Sequence, residues 1–250
     1  MQTVEKALDI LESFLKQEGE MGIAALSNLS RLNISTAHRI TSLLVKRGYL
    51  NQRQKRGKYY LGPKLLEFGS IVKRRMKIRD VALPFLQELN KVVDESVNLA
   101  ILDANEAVYI EQIESNYNLR IFTAVGNRVP LHCTGVGKVF LAHMGEAEVE
   151  RFLNSKALPY YTKNTITDFS QLKKTLLIVR REGIAEDDEE MEVGVRCVAS
   201  AVKDCDGNVV AAISVSGPSA RLSGKRVAEL KLLVKRCGFE ISRAMGYRGE

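Results

Sequence analysis

Four polar side chains near the start of a predicted helix have the chemistry needed to read DNA. They are Ser35, Thr36, His38 and Arg39. Short hydroxyls, an imidazole and a long cation at a helix start can reach base edges and phosphates when the helix enters the major groove. Helical spacing directs Ile40 and Leu44 to the opposite face, toward a core. The pattern therefore predicts a DNA recognition helix.

A basic segment just downstream could contact the DNA backbone. Two short runs with apolar and aromatic residues, at 49–50 and 59–61, flank it and predict a β-hairpin. The cations between them that we expect to lie along phosphate are Arg53, Lys55, Arg56 and Lys58. A basic hairpin alone is most often only a solvated surface. Its position after the predicted recognition helix favours a DNA-binding wing.

The recognition helix belongs to a predicted helix-turn-helix. The first helix covers 23–29, where apolar residues recur at three-residue spacing, and a break follows at 31–33. We expect Ser35 to cap the second helix and Gly48 to end it. A further amphipathic helix at 4–16, capped by Thr3, would complete a three-helix winged domain.

The charge of the chain is concentrated in this region. The net charge is +7, but residues 1–80 contain 16 Lys and Arg against 7 Asp and Glu, whereas residues 81–250 contain 21 against 23. The basic excess therefore coincides with the predicted DNA-binding domain. Four cysteines without a C-x-x-C pair, no membrane-length apolar run and no export signal lead us to expect a cytoplasmic protein with reduced thiols.

The remainder of the chain predicts a second domain of the α+β class. After a connecting helix that starts at Pro63, helices are expected at 80–93, 134–142, 146–153, 170–181 (capped by Ser170) and from Ser223 onward. Strands with hairpin turns are expected at 96–102, 107–113, 119–124, 183–187, 197–203 and 209–216, and 128–134 is expected to be a loop. We expect a winged helix-turn-helix domain at 1–62, a linker helix at 63–79 and a domain with one antiparallel sheet at 80–250.

Several stretches of the chain resemble the IclR family of bacterial transcriptional regulators. They are STAHRI and LLVKRGYL in the first domain, and RVPLHCTGVGK, GIAEDDEEMEVGVRCVASAV and VVAAISVSGP in the second. The resemblance implies a winged helix-turn-helix, a linker helix that pairs subunits and a C-terminal GAF-like domain that binds a small effector. It also implies a homodimer or dimer of dimers that represses or activates a catabolic operon, and we expect a repressor. Pairing of subunits through the apolar linker helix would place two recognition helices on one DNA face, which predicts a palindromic operator.

The same resemblance implies an effector pocket. Its residues would be Gly135, Val136, Asp187, Val195, Cys197, Ser214 and Ser216. Independently of the family, Ser214 and Ser216 alternate and so share one face of a strand. The helix start at 134–138 offers backbone N–H groups to an anion. We therefore expect a small carboxylate as effector, with no cofactor and no metal.

The chain departs from the family pattern at a few positions. Arg31 stands where the turn usually has glycine, so a left-handed backbone there would cost about 1 kcal/mol. Ser27 stands where alanine is usual, and Lys203 where an aromatic residue or histidine is usual. These changes bear on helix geometry and not on the pocket.

Two other functional classes fit the sequence less well. A DNA-tethered enzyme could use Cys197 and Asp187, or Cys133, His132 and Glu190, as a thiol–imidazole or metal site. With three histidines and no H-E-x-x-H, G-x-S-x-G or P-loop pattern, we expect no enzyme. A nonspecific DNA binder would not need a second domain of this size.

Overall fold

The computed structural model describes residues 2–17, 19–54, 57–75, 77–155 and 158–249. The chain forms two compact units, Met1–Met76 and Lys77–Glu250. Among the described helices, none is both long and apolar enough to cross a membrane.

The N-terminal unit is a small helical domain with a two-stranded hairpin. Its elements are α1 (Gln2–Lys16), α2 (Ile23–Leu29), α3 (Ile34–Lys46), β1 (Leu50–Gln52), β2 (Tyr59–Leu61) and α4 (Lys64–Arg75). One buried residue from each of the first three helices, Ile10, Leu26 and Ile40, meets in a common core. The antiparallel hairpin joins this core because Met21 and Tyr59 exchange two backbone hydrogen bonds of 2.9 and 2.8 Å. The predicted winged helix-turn-helix is thereby confirmed.

The helix caps differ in part from those that the sequence predicted. Helix α3 begins at Ile34, and the Asn33 side chain, not Ser35, accepts the hydrogen bond from Thr36 N at 2.8 Å. Asn33 is the last residue with an extended backbone, which is the geometry that a cap requires, whereas Ser35 already lies in the helix. Thr3 likewise lies within α1. Arg31 has the expected left-handed backbone, with φ of 54°.

The C-terminal unit is an antiparallel sheet between helical layers. Its elements are α5 (Lys77–Val93), β3 (Ser96–Asp103), β4 (Glu106–Ile113), β5 (Arg128–Pro130), α6 (Gly135–His143), α7 (Glu146–Ser155), α8 (Phe169–Glu182), β6 (Ile184–Asp188), β7 (Val195–Lys203), β8 (Val209–Pro218) and α9 (Gly224–Ala244). The six-stranded sheet has the order β5-β4-β3-β8-β7-β6, with every neighbouring pair antiparallel. This confirms the predicted α+β class.

Contacts along β7 show which helices cover each face of the sheet. A Cβ at Gly135 of α6 would touch Cys197 and Ala199, whereas a Cβ at Gly238 of α9 would touch Ser200. Successive residues of a strand point to opposite faces. Helix α6 therefore packs on one face, with α8 beside it, and α9 packs on the other, with α5 beside it.

The segment between β4 and α6 is where the sequence prediction was wrong. No strand forms at 119–124, and Arg128–Pro130, predicted to be a loop, is the edge strand β5. Strand β5 and the two residues before it occupy the free edge of β4, where Tyr109 N donates to Asn127 O at 3.0 Å. Residues 121–123 instead lie near the other end of β4, where the backbone of Ile121 and Thr123 bonds to the Gln112 side chain without forming a strand. In the same unit, the N-cap of α8 is Asp168 and not Ser170, because the Asp168 carboxylate accepts from Gln171 N at 2.7 Å.

Replacement of Gly62 by alanine should destabilise the N-terminal unit. A Cβ at Gly62 would overlap the Gly48 carbonyl, a backbone atom that cannot rotate away. Overpacking of this kind costs about 1–3 kcal/mol in the free energy of unfolding. Urea unfolding of the Gly62→Ala variant, followed by hydrogen exchange in peptides from 34–46, measures the cost.

Gly69→Ala is the matched control for this prediction. Gly69 lies within α4 with no heavy atom near its hypothetical Cβ, so alanine should stabilise the helix by about 0.5–1 kcal/mol. Equal urea midpoints for the two variants would show that the contact between Gly62 and Gly48 does not constrain the domain.

Candidate functional site

The start of α3 presents a polar face to solvent. Ser35, His38 and Arg39 are exposed and Thr36 is half-buried. The opposite face, which includes Ile40, is buried in the core of the domain. The Ser35 hydroxyl donates to Asn33 Oδ1 at 2.9 Å, so cap and serine form one polar group at the helix start. This arrangement could contact base edges in a major groove.

The wing carries exposed cations at its two ends. Arg53 is 77% exposed and lies 3.7 Å from a carboxylate oxygen of Glu20, a distance at which an exposed ion pair contributes little. Lys58 is also exposed. Both side chains are therefore available to phosphate. Lys55 and Arg56, the other predicted wing contacts, lie outside the described residues.

In the C-terminal unit, strand pairing brings the predicted pocket residues together. Cys197 of β7 lies between Asp187 of β6 and Ser216 of β8 in the register. Two residues along, Ser214 pairs with Asn98 of β3. Asp187, Cys197, Ser214 and Ser216 are all buried. Val195 has the same parity as Cys197 but lies at the start of β7 and is only half-buried.

The start of α6 approaches this polar row closely. A Cβ at Gly135 would lie 3.0 Å from Cys197 Sγ and 3.1 Å from Ala199 Cβ, so only glycine fits without displacement. The first N–H groups of a helix have no partner within it. The Thr134 hydroxyl accepts from Gly137 N at 3.2 Å, which leaves the N–H groups of Gly135 and Val136 for a ligand. These two amides and the positive end of the helix dipole favour an anion.

A buried group of charged residues lies beside the same helix. The Lys138 ammonium forms an ion pair with Glu190, and both side chains are almost completely buried. The Asp187 carboxylate accepts a 2.8 Å hydrogen bond from Glu190 N. Burial nevertheless raises the pKa of Asp187 to about 7, because an ionised carboxylate is poorly solvated there. Asp187 can therefore exchange a proton near neutral pH.

The two cysteines of the enzyme hypothesis lack the surroundings that activate a thiol. Burial raises the pKa of Cys197 to about 11 and that of Cys133 to about 12, so both remain thiols near neutral pH. Cys133 Sγ contacts Met191 Sδ at 3.7 Å, whereas the His132 ring contacts the Pro159 carbonyl. Within the ranges that the structure describes, no group of three His, Cys, Asp or Glu could hold a metal ion.

Sequence reasoning missed three polar residues of the same face, of which Asn98 and Tyr109 are buried and Gln112 is half-buried. Asn98 Nδ2 donates to Ser214 and Ser216 at 3.4 and 3.3 Å, and Gln112 Nε2 donates to Asn98 Oδ1 at 3.1 Å. An irregularity in the β3–β4 pairing also brings Tyr109, opposite Ala100, to the face that carries Gln112. An asparagine between Val97 and Leu99 in an apolar strand was a usable signal, but the irregularity was not visible in the sequence.

A groove of the C-terminal unit is separate from this cluster. It has a volume of about 290 Å³ and is bordered by residues of α6, α7 and α8, including Val149 and Leu176. None of the predicted pocket residues lines it. Its polar lining consists of long surface side chains, which lack the convergent short polar groups that orient small ligands.

Comparison with known proteins matches two separate parts of the chain. Residues 3–54 match the IclR helix-turn-helix domain, and residues 71–243 match the family described as bacterial transcriptional regulator IclR C-terminal. The HTH-type transcriptional regulator XynR of Escherichia coli K12 is 38% identical over 247 residues, which are 99% of this chain and 98% of that protein.

Solved structures of similar proteins share the fold over the whole chain. The IclR protein of Thermotoga maritima has a TM-score of 0.81 and 34% identity, covering 99% of this chain and 100% of that one. An IclR homologue from Microbacterium hydrocarbonoxydans, solved with 4-hydroxybenzoate, has a TM-score of 0.84 and 27% identity, covering 97% and 98%. With both domains matched in sequence and in fold, the chain belongs to the IclR family of bacterial transcriptional regulators.

Proposed function

We propose that this transcriptional regulator acts in the cytoplasm as a repressor of a catabolic operon and responds to a small carboxylate bound in its C-terminal unit. The observation that carries the proposal is the convergence of the α6 N-terminus, Asp187 and two serine hydroxyls at one place in a buried sheet. Free backbone N–H groups, hydroxyls and a protonated acid are all donors. Together they favour a ligand that accepts several hydrogen bonds, such as a keto, hydroxy or aromatic acid.

The relatives support the same ligand class and the direction of regulation. One structural relative was solved with 4-hydroxybenzoate, which is an aromatic acid. The relatives with repressor names include the transcriptional repressor IclR of E. coli K12, which is 31% identical over 248 residues. Because these relatives are transcriptional regulators, a catalytic role for Cys197 has no support from them.

Different parts of the chain would have different roles in this function. Residues 1–62 would bind DNA, 63–79 would link the domains and 80–250 would bind the effector. The linker helix is α4, because α4 ends at Arg75 and α5 already begins at Lys77. The linker helix would pair two subunits, since Leu66, Phe68 and Ile71 of α4 are exposed apolar residues that a partner could bury. A homodimer, or a dimer of dimers, would place two recognition helices on a palindromic operator. Effector binding would change DNA affinity by a coupling free energy of about 1–3 kcal/mol.

Arg39→Ala should weaken binding to the operator more than binding to random DNA. The loss of a base contact typically costs about 1–3 kcal/mol, whereas a phosphate contact contributes equally on any sequence. Fluorescence anisotropy with the DNA upstream of the protein's own gene, and with a scrambled duplex, measures both affinities. Arg181→Ala, which removes an exposed cation from α8, is the control and should change neither. Equal losses of affinity for the two duplexes would show that Arg39 contacts phosphate and not bases.

Ser214→Ala combined with Ser216→Ala should blunt the effector response without weakening DNA binding. Hydrogen bonds to a charged group contribute about 1.5–3 kcal/mol, so the effector concentration needed for half response should rise at least about tenfold. The measurement is the anisotropy titration of bound DNA with the effector. Ser170→Ala, an exposed serine on α8, is the matched control. An unchanged titration in the double variant would show that neither hydroxyl contributes to effector binding.

Carboxylate binding should weaken as the pH rises through the pKa of Asp187. Below about pH 7 the buried Asp187 is protonated and can donate to a ligand carboxylate; above it, two negative charges face each other. If only the protonated form binds, affinity falls about tenfold between roughly pH 6 and pH 8. Calorimetric titration at several pH values measures this trend. Asp187→Asn should bind with a flat profile, and a parallel decline in that variant would assign the titration to another group.

A further inference from the structure

The orientation of the Gln112 amide is fixed by the backbone of the segment that precedes β5. Thr123 N donates to Gln112 Oε1 at 3.2 Å, and Gln112 Nε2 donates to Ile121 O at 3.4 Å. A backbone N–H can only donate and a backbone carbonyl can only accept. The two contacts therefore assign the oxygen and the nitrogen of this side chain without ambiguity.

The fixed Gln112 amide in turn orients Asn98. Gln112 Nε2 donates to Asn98 Oδ1 at 3.1 Å, so the Asn98 oxygen faces Gln112 and its NH₂ group faces β8. That NH₂ group lies within hydrogen-bonding distance of both serine hydroxyls, at 3.4 Å from Ser214 and 3.3 Å from Ser216. Asn98 is completely buried, so water does not reach it to compete for these bonds.

Because both serine hydroxyl oxygens accept from Asn98, each hydroxyl directs its own proton away from Asn98 and can donate it to another group. Each hydroxyl oxygen accepts from Asn98, and each hydroxyl has a single proton to donate. Cys197 pairs with Ser216 in the strand register, but a thiol sulfur is a weak acceptor. A ligand oxygen that bears negative charge would compete successfully for both protons.

We propose that Gln112 is a positioning residue that sets the specificity of this pocket for a carboxylate over the corresponding amide. The inference rests on the proposed function, because it concerns the ligand of the same site. Gln112 acts through Asn98 and the serines. A carboxylate can offer one charged oxygen to each hydroxyl, whereas a primary amide bound in the same way offers its carbonyl oxygen to one hydroxyl and turns its NH₂ group toward the other.

Gln112→Glu should reverse which groups of this site donate and which accept hydrogen bonds, because glutamate has almost the same shape as glutamine. A glutamate can still accept from Thr123 N, but its second oxygen would face Asn98 Oδ1 and the Ile121 carbonyl, and acceptors repel one another. The Ile121 carbonyl cannot become a donor, whereas the Asn98 amide can. The Asn98 amide would then flip and donate to the glutamate, and its oxygen would accept from both serine hydroxyls. The hydroxyls would present only lone pairs to the ligand. A site that binds carboxylates would become one that prefers an NH₂ group.

The test measures binding of three acid and amide pairs by calorimetry to the full-length protein. The pairs are pyruvate and pyruvamide, lactate and lactamide, and 4-hydroxybenzoate and 4-hydroxybenzamide. In the unmodified protein, we expect at least one acid to bind at least tenfold more tightly than its amide. In Gln112→Glu, we expect the affinity for that acid to fall at least tenfold and the affinity for its amide to rise. Gln171→Glu adds the same charge on the exposed surface of α8 and should change neither affinity.

The outcomes separate this inference from the function on which it rests. If the unmodified protein binds none of the three acids at millimolar concentration, the carboxylate class fails and the specificity role of Gln112 fails with it. If an acid binds but has no advantage over its amide, the specificity role alone is wrong. The specificity role is also wrong if Gln112→Glu lowers the affinity for the acid and leaves that for the amide unchanged, because the added charge alone explains this result. It is likewise wrong if both affinities fall equally, because a packing defect explains that result.

Discussion

The close contact of α6 with β7 is the feature on which the proposed ligand site depends. Gly135 brings the helix start so near the strand that its hypothetical Cβ would lie 3.0 Å from Cys197 Sγ. This approach places the first N–H groups of α6 against the face of the sheet, beside the polar side chains of β7 and β8. A larger residue at this position would move the helix outward and separate the backbone donors from the serine hydroxyls.

The polar groups around that contact are costly to the fold. The buried Lys138–Glu190 ion pair and the Asp187 carboxyl are removed from water, and such groups are often replaceable by apolar residues without loss of stability. Asn98 and Gln112 add two amides to a strand face that elsewhere packs against apolar residues. Because these groups converge on one helix start, ligand recognition explains them better than stability does.

The sequence predicted much of this arrangement, for physical reasons that differ between elements. Helix α2 and strands β7 and β8 have strong periodicity, and alternation alone placed Ser214 and Ser216 on one face. The alternation of residues 119–124 predicted a strand, but the backbone at Ile121 and Thr123 bonds to the Gln112 side chain instead of to a neighbouring strand. Asn98 and Gln112 were missed because their partners lie on other strands, and strand register is not readable from one sequence. Asn33 was passed over as a cap because Ser35 is an equally good capping residue.

We propose that this protein is a sequence-specific regulator whose DNA affinity responds to a small carboxylate. The most direct measurement is fluorescence anisotropy with a labelled duplex from upstream of its own gene and a scrambled duplex, at two salt concentrations, with and without a panel of keto, hydroxy and aromatic acids. We expect tight binding to the native duplex at a salt concentration where the scrambled duplex is released, and a shift of that binding by at least one acid. Equal and steeply salt-dependent binding to both duplexes, with no effect of any acid, would leave only phosphate attraction and contradict the claim.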